Sequence, residues 1–215
     1  WQALETGLRQ RANLLDLVLT DVYGERNLMR RRVIPPEVIL GHDGYIRQTD
    51  GIGAPGRRQL VVAAADLGRD ATGQWTVSSD RTQAPSGRGY VMATRRIISR
   101  VMAGLHRSTP LARLRGFFQT FSASLQDASP TATEPPRVVL LTPGPGSETA
   151  FEQAYLATLL GFPLVEADDL VMQKGKVWLR AGDRLEQVDV ILRRVDAAYS
   201  DPLELRGDSQ LGIPG

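Results

Sequence analysis

The 215 residues contain no cysteine and only two histidines, His42 and His106, far apart along the chain. Disulfide frameworks, thiolate metal sites and a cysteine nucleophile are thereby excluded, and a histidine-rich metal centre lacks its ligands. Lysine is almost missing, with Lys174 and Lys176 the only two. No apolar run approaches the roughly 18 residues that a membrane helix needs, and no leader pattern is visible, so the expectation is a soluble cytoplasmic protein with no membrane partner. A Gly-x-Ser-x-Gly elbow, which would support a hydrolase triad, is absent. The chain begins at Trp1 inside a helical pattern and stops in the loop Leu211–Gly215. It is therefore expected to be a piece of a longer protein.

At 42% hydrophobic and 23% charged residues, the composition is that of a globular protein. The net charge of +2 conceals a division: residues 1–120 carry 18 basic and 10 acidic side chains, and residues 121–215 carry 8 and 14. All 18 basic residues of the first part are arginines. Their planar forks suit phosphate or carboxylate, and a solvated basic surface explains them equally. No nucleic-acid-binding motif accompanies them, so nucleic acid is not an expected partner.

Apolar residues at Leu4, Leu8, Leu15, Leu19 and Val22 predict a helix ending near Gly24. Strands are predicted at 45–48, 59–67 and 74–78, the last two joined as a hairpin through 68–73. A helix then carries Ile97, Ile98, Val101 and Leu105, and another carries Leu111, Phe117, Phe118, Phe121 and Leu125 as a core stripe. The Pro/Ser/Thr-rich stretch near 129–136 falls where the charge changes sign and reads as a linker between domains 1–128 and 137–215. Beyond it come a buried strand at 138–141, the turn Gly144-Pro145-Gly146-Ser147 and a helix over 148–160. A strand at 162–166, a hairpin around Lys174-Gly175 and a core strand at 188–192 follow. Strand, Gly-rich turn, helix and strand make the βα unit of Rossmann-like sheets.

Three places could carry chemistry. Asp66 and Asp80, on paired strands, could hold Mg²⁺ against phosphate oxygens, with Arg69, Arg81, Arg88 and Arg95 neutralising the phosphates. Surface acids on a hairpin are the plainer alternative. Gly144, Gly146 and Ser147 precede a helix N-terminus, where free amides attract anions, or Ser147 is simply its N-cap. The turn is neither a dinucleotide fingerprint nor a P-loop. Arg193, Arg194 and Asp196 end a strand and suit a substrate carboxylate or amine, or an internal ion-pair network.

The stretches Ala65–Arg69, Asp80–Tyr90 (DRTQAPSGRGY), Leu140–Tyr155 (LLTPGPGSETAFEQAY), Val190–Asp196 and Asp201–Arg206 give the chain a family likeness. It resembles the circularly permuted ATP-grasp proteins of type 2, similar to glutathionylspermidine synthases and carboxylate–amine ligases, across essentially its whole length. The resemblance implies an α/β (α+β) fold. In it, an antiparallel ATP-grasp-type sheet with helices precedes a Rossmann-like pre-ATP-grasp domain, and the adenine-binding lobe lies beyond residue 215. It implies amide formation through an acyl-phosphate, with ATP and Mg²⁺ used by the full-length protein. The substrates would be small or peptide-like carboxylates and amines, and an α-helical domain or protein is an implied partner. It puts Asp66 and Asp80 at the metal, Arg81 and Arg95 in catalysis, and Arg69, Ser86, Gly87 and Arg88 at the nucleotide. Gly144, Gly146, Ser147, Arg193, Arg194 and Asp196 fall to the substrate. Many relatives have Glu-Asp-Asn where this chain has Ser79-Asp80-Arg81, and Glu-Asn where it has Ala93-Thr94. A guanidinium cannot coordinate a cation, so a catalytically degenerate binding or scaffold module is the alternative. A Rossmann-like small-molecule binder is a third.

Overall fold

The computed structural model describes residues 1–53, 57–130 and 135–215, which divide into two compact units, Trp1–Pro85 and Ser86–Gly215. In the first unit the helical apolar period produces α1 (Gln2–Val22), and Val22 closes it in the core. Two carboxylates on this helix organise the chain around it. Asp21 accepts the amides of Asn27 and Leu28 at 2.8 and 2.9 Å, which starts α2 (Asn27–Arg30). Asp16 accepts the amides of Gln59 and Leu60, both at 2.8 Å. These backbone donors are thus satisfied by a side chain, and the strand expected from residue 59 begins only at Ala64. α3 (Pro36–Leu40) opens with proline at its first position, where no intrahelical amide is needed.

The strand expected at 45–48 is not formed. The Ile46 amide donates to the Tyr23 hydroxyl at 3.0 Å, the Tyr23 and Tyr45 rings stack at 5.2 Å, and Arg47–Thr49 is a 3₁₀ turn. The expected hairpin is present: β1 (Ala64–Arg69) pairs antiparallel with β2 (Trp75–Arg81). Asp70 holds its turn by accepting the Thr72 amide, the Thr72 hydroxyl and the Gln74 amide. A groove of about 800 Å³ runs between α1 and the hairpin, lined among others by Leu4, Leu8, Leu17, Leu67, Trp75 and Val77.

The second unit contains α4 (Arg88–Val101), α5 (Ala103–Ser108) and α6 (Arg115–Asp127). The helix expected through Leu105 breaks at Met102, whose backbone (φ −120°, ψ 49°) leaves the helical region. The next starts after Pro110, later than its apolar pattern, and buries Phe118, Phe121 and Leu125 as expected. β3 (Val138–Leu141) is buried throughout and lies at the centre of a parallel sheet. β4 (Leu164–Val165), reached through α7 (Ala150–Leu160), flanks it on one side, and β8 (Val190–Arg193) on the other. A separate antiparallel sheet is made by β5 (Leu170–Gln173), β6 (Lys176–Ala181) and β7 (Arg184–Val188).

The run VDVIL, expected as one strand, therefore belongs to two sheets. Val188 ends β7 and Val190 begins β8, while the Asp189 carboxylate between them accepts the Arg137 amide and the Gln187 side-chain amide. Val139, Leu141, Val165, Leu170, Val188 and Val195 form one core that both sheets share. The division between compact units falls at Pro85/Ser86, before α4 rather than at the composition-based linker 129–136, of which 131–134 lie outside the described residues. Leu156 of α7 is fully buried. Leu156→Ala is expected to lower stability by about 3 kcal/mol, the usual cost of a core cavity, read as a reduced midpoint in urea.

Candidate functional site

In the β1–β2 hairpin, register decides which groups meet. Asp66 lies opposite Ser79, and Asp80 lies opposite Ala65. Because neighbouring strand residues face opposite ways, Asp66, Ser79 and Arg81 share one face and Asp80 occupies the other. The contacts follow this parity. Asp66 Oδ2 accepts the Ser79 hydroxyl at 2.5 Å and the Arg81 guanidinium at 2.9 Å. Asp80 takes a two-pronged pair from Arg11 of α1, at 2.7 and 2.6 Å. Hydrogen bonds from Ser79 and then Arg81 hold the Asp66 carboxyl below its ordinary range, and those from Arg11 do the same for Asp80.

These residues do not fit a divalent cation held jointly by Asp66 and Asp80. The two carboxylates are on different faces, each is already matched to an arginine, and no cluster of three acidic or histidine ligands exists among the described residues. Arg69 is engaged differently, its guanidinium 4.5 Å from the centre of the Trp75 ring.

In the second unit a different constellation forms. α4 begins after Gly87 with no side-chain cap of its own. Its first amides are met instead by Glu152, in the first turn of α7. Glu152 Oε1 accepts the Gly87 amide at 3.0 Å and the Gly89 amide at 3.3 Å. Its Oε2 lies 3.5 Å from Arg194 Nη2, and the two side chains are 0% and 3% exposed. The Arg88 guanidinium lies 5.2 Å from the Phe121 ring centre. Burial, then the neighbouring Arg194, pushes the Arg88 pKa down to about 10, opposed by Glu152. Burial lowers Arg194 as well, again opposed by Glu152. At pH 7 the Arg88 guanidinium, with its pKa at about 10, keeps its charge.

The loop after β3 is fixed by its own polar network. Gln153, 1% exposed, accepts the Thr142 hydroxyl and donates to Thr149 Oγ1 at 2.8 Å and Ser147 Oγ at 3.3 Å. Gly144 donates its amide to Thr142 Oγ1 at 3.1 Å. Thr149, not Ser147, is the N-cap residue of α7, and Ser147 supports it by accepting its amide at 3.3 Å. Gly144 has φ +94°, and a Cβ there would lie 3.0 Å from the Glu166 carboxylate. The expected site residues are thus dispersed: Gly87 and Arg194 meet through Glu152, and Arg88 feels the charge of both Arg194 and Glu152. Arg95 donates to the Ala112 carbonyl at 2.6 Å, Arg193 to that of Val195, and Ser86 and Asp196 are exposed.

Comparison with known proteins gives this arrangement its setting. The profile described as circularly permuted ATP-grasp type 2 matches residues 1–215. The chain belongs to that family. It is 51% identical over all 215 residues to the uncharacterized protein Rv2567 of Mycobacterium tuberculosis, of which it covers 24%. It is 37% identical to the uncharacterized protein ML0605 of Mycobacterium leprae and 34% identical to the uncharacterized protein sll0335 of Synechocystis, covering 38% and 45% of these. This ATP-grasp chain therefore spans between about a quarter and just under half of the length of these relatives.

Arg11, Glu152 and Gln153 anchor these contacts, and sequence patterns passed them over. Glu152 and Gln153 had a signal: they are the only strongly polar side chains in AFEQAYLATLL besides one threonine and one tyrosine. In a helix this apolar on every side, polar groups end up buried.

Two outcomes follow from these contacts. In a carboxyl-detected NMR titration, Asp66 and Asp80 should protonate below the ordinary aspartate pKa of about 3.9. Arg81→Ala should return Asp66 toward it, and Arg11→Ala should return Asp80. With folded values depressed, the two pairs contribute stability above the unfolded pKa and lose it as pH falls through the folded values. Separately, a Cβ at Gly89 would lie 2.7 Å from Glu152 Cγ and 2.9 Å from its carbonyl oxygen. Gly89→Ala should cost about 2 kcal/mol in chemical unfolding, since backbone and a buried side chain must both shift.

Proposed function

We propose that the chain is part of an ATP-dependent ligase that joins a carboxylate to an amine. The observation that carries this reading is the family match over the full 215 residues. The chemistry would run in two balanced steps. A substrate carboxylate attacks the γ-phosphorus of ATP and ADP leaves; the amine then attacks the acyl carbon, inorganic phosphate leaves, and the amine nitrogen loses a proton. Both steps place charge on phosphoryl oxygens, which arginines stabilise by bidentate contact. Arg69 and Arg81 in the first unit, and Arg88, Arg95 and Arg194 in the second, are the candidates this chain offers.

The three-stranded parallel sheet with α7 supports reading 137–215 as the Rossmann-like pre-ATP-grasp part, with residues 1–128 as the permuted portion that precedes it. The adenine-binding lobe would belong to the rest of the full-length protein. Its setting is the cytoplasm, and its substrates are small or peptide-like. An α-helical partner domain fits the same reading.

A second reading has its own observation. The Arg81–Asp66 and Arg11–Asp80 pairs neutralise both acids assigned to metal, which favours a catalytically silent module that binds or scaffolds. The deciding experiment uses the full-length protein with ATP and paired panels of carboxylates and amines. The ligase reading expects ADP formation that requires both an acid and an amine. Absence of turnover together with absence of ATP binding in calorimetry would overturn it in favour of the silent module.

A further inference from the structure

A surface helix ordinarily turns its apolar stripe to the core and its charges to water. α4 does the reverse. At about 100° per residue, Tyr90, Val91, Thr94, Ile97, Ile98 and Val101 fall within an arc of about 120°, and all six are exposed. Ile97 and Val101 are 60% and 77% exposed. The remaining side, which meets α7 through Gly89 and Glu152, includes Arg88, Arg95 and Arg100, all half-buried. The stripe is about 16 Å long, roughly three helical turns, and it ends in aromatic rings. Tyr90 lies 5.6 Å from Phe151 of α7, itself 55% exposed, and Phe151 lies 5.9 Å from Tyr155. A continuous apolar surface of this kind marks a contact.

The charge around the stripe says what kind of contact. From Ser86 to Gln126 there are seven arginines and no acidic residue. Arg95 donates to the Ala112 carbonyl, whereas the guanidiniums of Arg96, Arg100 and Arg107 make no hydrogen bond or ion pair among the described residues. Arg100 and then Arg96 follow the stripe round one side of α4, and Arg95 borders the other. A second copy docked stripe to stripe about a two-fold axis would set these arginines against their own counterparts, which like charge disfavours. The complementary surface is apolar along its middle and acidic along its margins. The relatives aligned with all 215 residues are only 24% to 45% covered by them, which leaves more than half of such a protein to supply that surface.

We propose that the exposed stripe of α4 is the docking face for an amphipathic helix with acidic margins, contributed by the part of the full-length protein outside residues 1–215. The apolar side of that helix covers Ile97, Ile98 and Val101, and its carboxylates pair with Arg96 and Arg100. Arginine suits the second task, since its fork meets a carboxylate with two hydrogen bonds. The inference rests on the reading of the chain as part of a longer protein, and not on its ligase chemistry.

The test is thiol alkylation of the purified full-length protein, followed at one peptide by mass spectrometry. Val101→Cys reports on the stripe, and Ser99→Cys reports on an exposed position of the same helix outside it. Both substitutions are small, so the fold is kept. The expected result is alkylation at least about tenfold slower at position 101 than at 99, because the stripe opens to reagent only when the covering helix leaves. Adding Arg100→Glu, which repels acidic margins, should speed the reaction at position 101 by about threefold or more. A benzophenone reagent attached to the same thiol and illuminated should join position 101 to a segment outside 1–215 that has acidic residues beside apolar ones at helical spacing. Equal rates at the two positions overturn the proposal; protection of such a protein by anionic vesicles would then assign the stripe to a membrane surface. Protection that disappears on dilution, or a cross-link to a second copy, overturns it in favour of self-association. ADP formation measured on the Val101→Cys protein keeps the two readings apart: turnover with an open stripe removes this inference and leaves the ligase, and a covered stripe without turnover or ATP binding does the reverse.

Discussion

The second unit depends on one buried carboxylate. Glu152 is completely withdrawn from solvent, a position that an isolated charge could not hold. It is kept there by two backbone amides, by a buried guanidinium and by its place in the first turn of α7, where the helix dipole favours a negative group. The amides it accepts are the leading donors of α4, a helix whose own sequence supplies no side-chain cap. One side chain thus serves two helix beginnings and reaches the end of β8 through Arg194. This also explains Gly89, since a side chain there would occupy the space of the Glu152 stem and backbone.

The same economy recurs in the first unit. α2 has no side-chain cap of its own, yet its first amides are met by Asp21 from the end of α1, and Asp16 does this for the non-helical amides of Gln59 and Leu60. Local capping of the usual kind, a Ser, Thr, Asp or Asn immediately before the helix, is replaced by carboxylates from further along the chain, six or seven residues away for Asp21 and 43 or 44 for Asp16. Such contacts fix the path of irregular chain without a strand ladder. They also place charged groups at segment ends, where their removal would expose several unsatisfied donors at once rather than one.

This long-range capping marks the limit of what could be read from the residues in order. Elements with a strong period were legible: α1, the hairpin, the α6 stripe with Phe118 and Phe121, β3, α7 and the β5–β6 turn all follow apolar spacing and turn chemistry. Segments whose conformation is set by a distant side chain were not. The run that begins at Gln59 continues as apolar as a strand, but Asp16 holds the amides of Gln59 and Leu60; the Ile46 amide meets a tyrosine hydroxyl instead of a ladder partner. The VDVIL run hid a change of sheet because apolar continuity says nothing about which partner a strand takes. Of the candidate site, Arg194 was visible as a residue type, whereas its buried partner Glu152, inside a nearly all-apolar helix, needed the fold to bring it there.

The hairpin shows how small the deciding feature can be. From the turn, pairing runs Arg69 with Trp75, Gly68 with Thr76 and Leu67 with Val77, then shifts by one residue so that Asp66 meets Ser79. Ser78 is the extra residue, its hydroxyl bonded to the Asp66 carbonyl at 3.1 Å. Had the first register continued, Asp66 would oppose Ser78 and Asp80 would oppose Ala64, two places along the same strand. Both carboxylates would then share a face, as two ligands of one cation must. The bulge reverses that parity. It turns Asp80 toward Arg11 and brings Ser79 and Arg81 to Asp66, so that a guanidinium and a hydroxyl stand beside Asp66 in place of a second carboxylate. A hairpin of identical composition without this one-residue shift would have opposite electrostatics on its two faces. The chemical character of this surface is therefore set by the register as much as by the acids themselves.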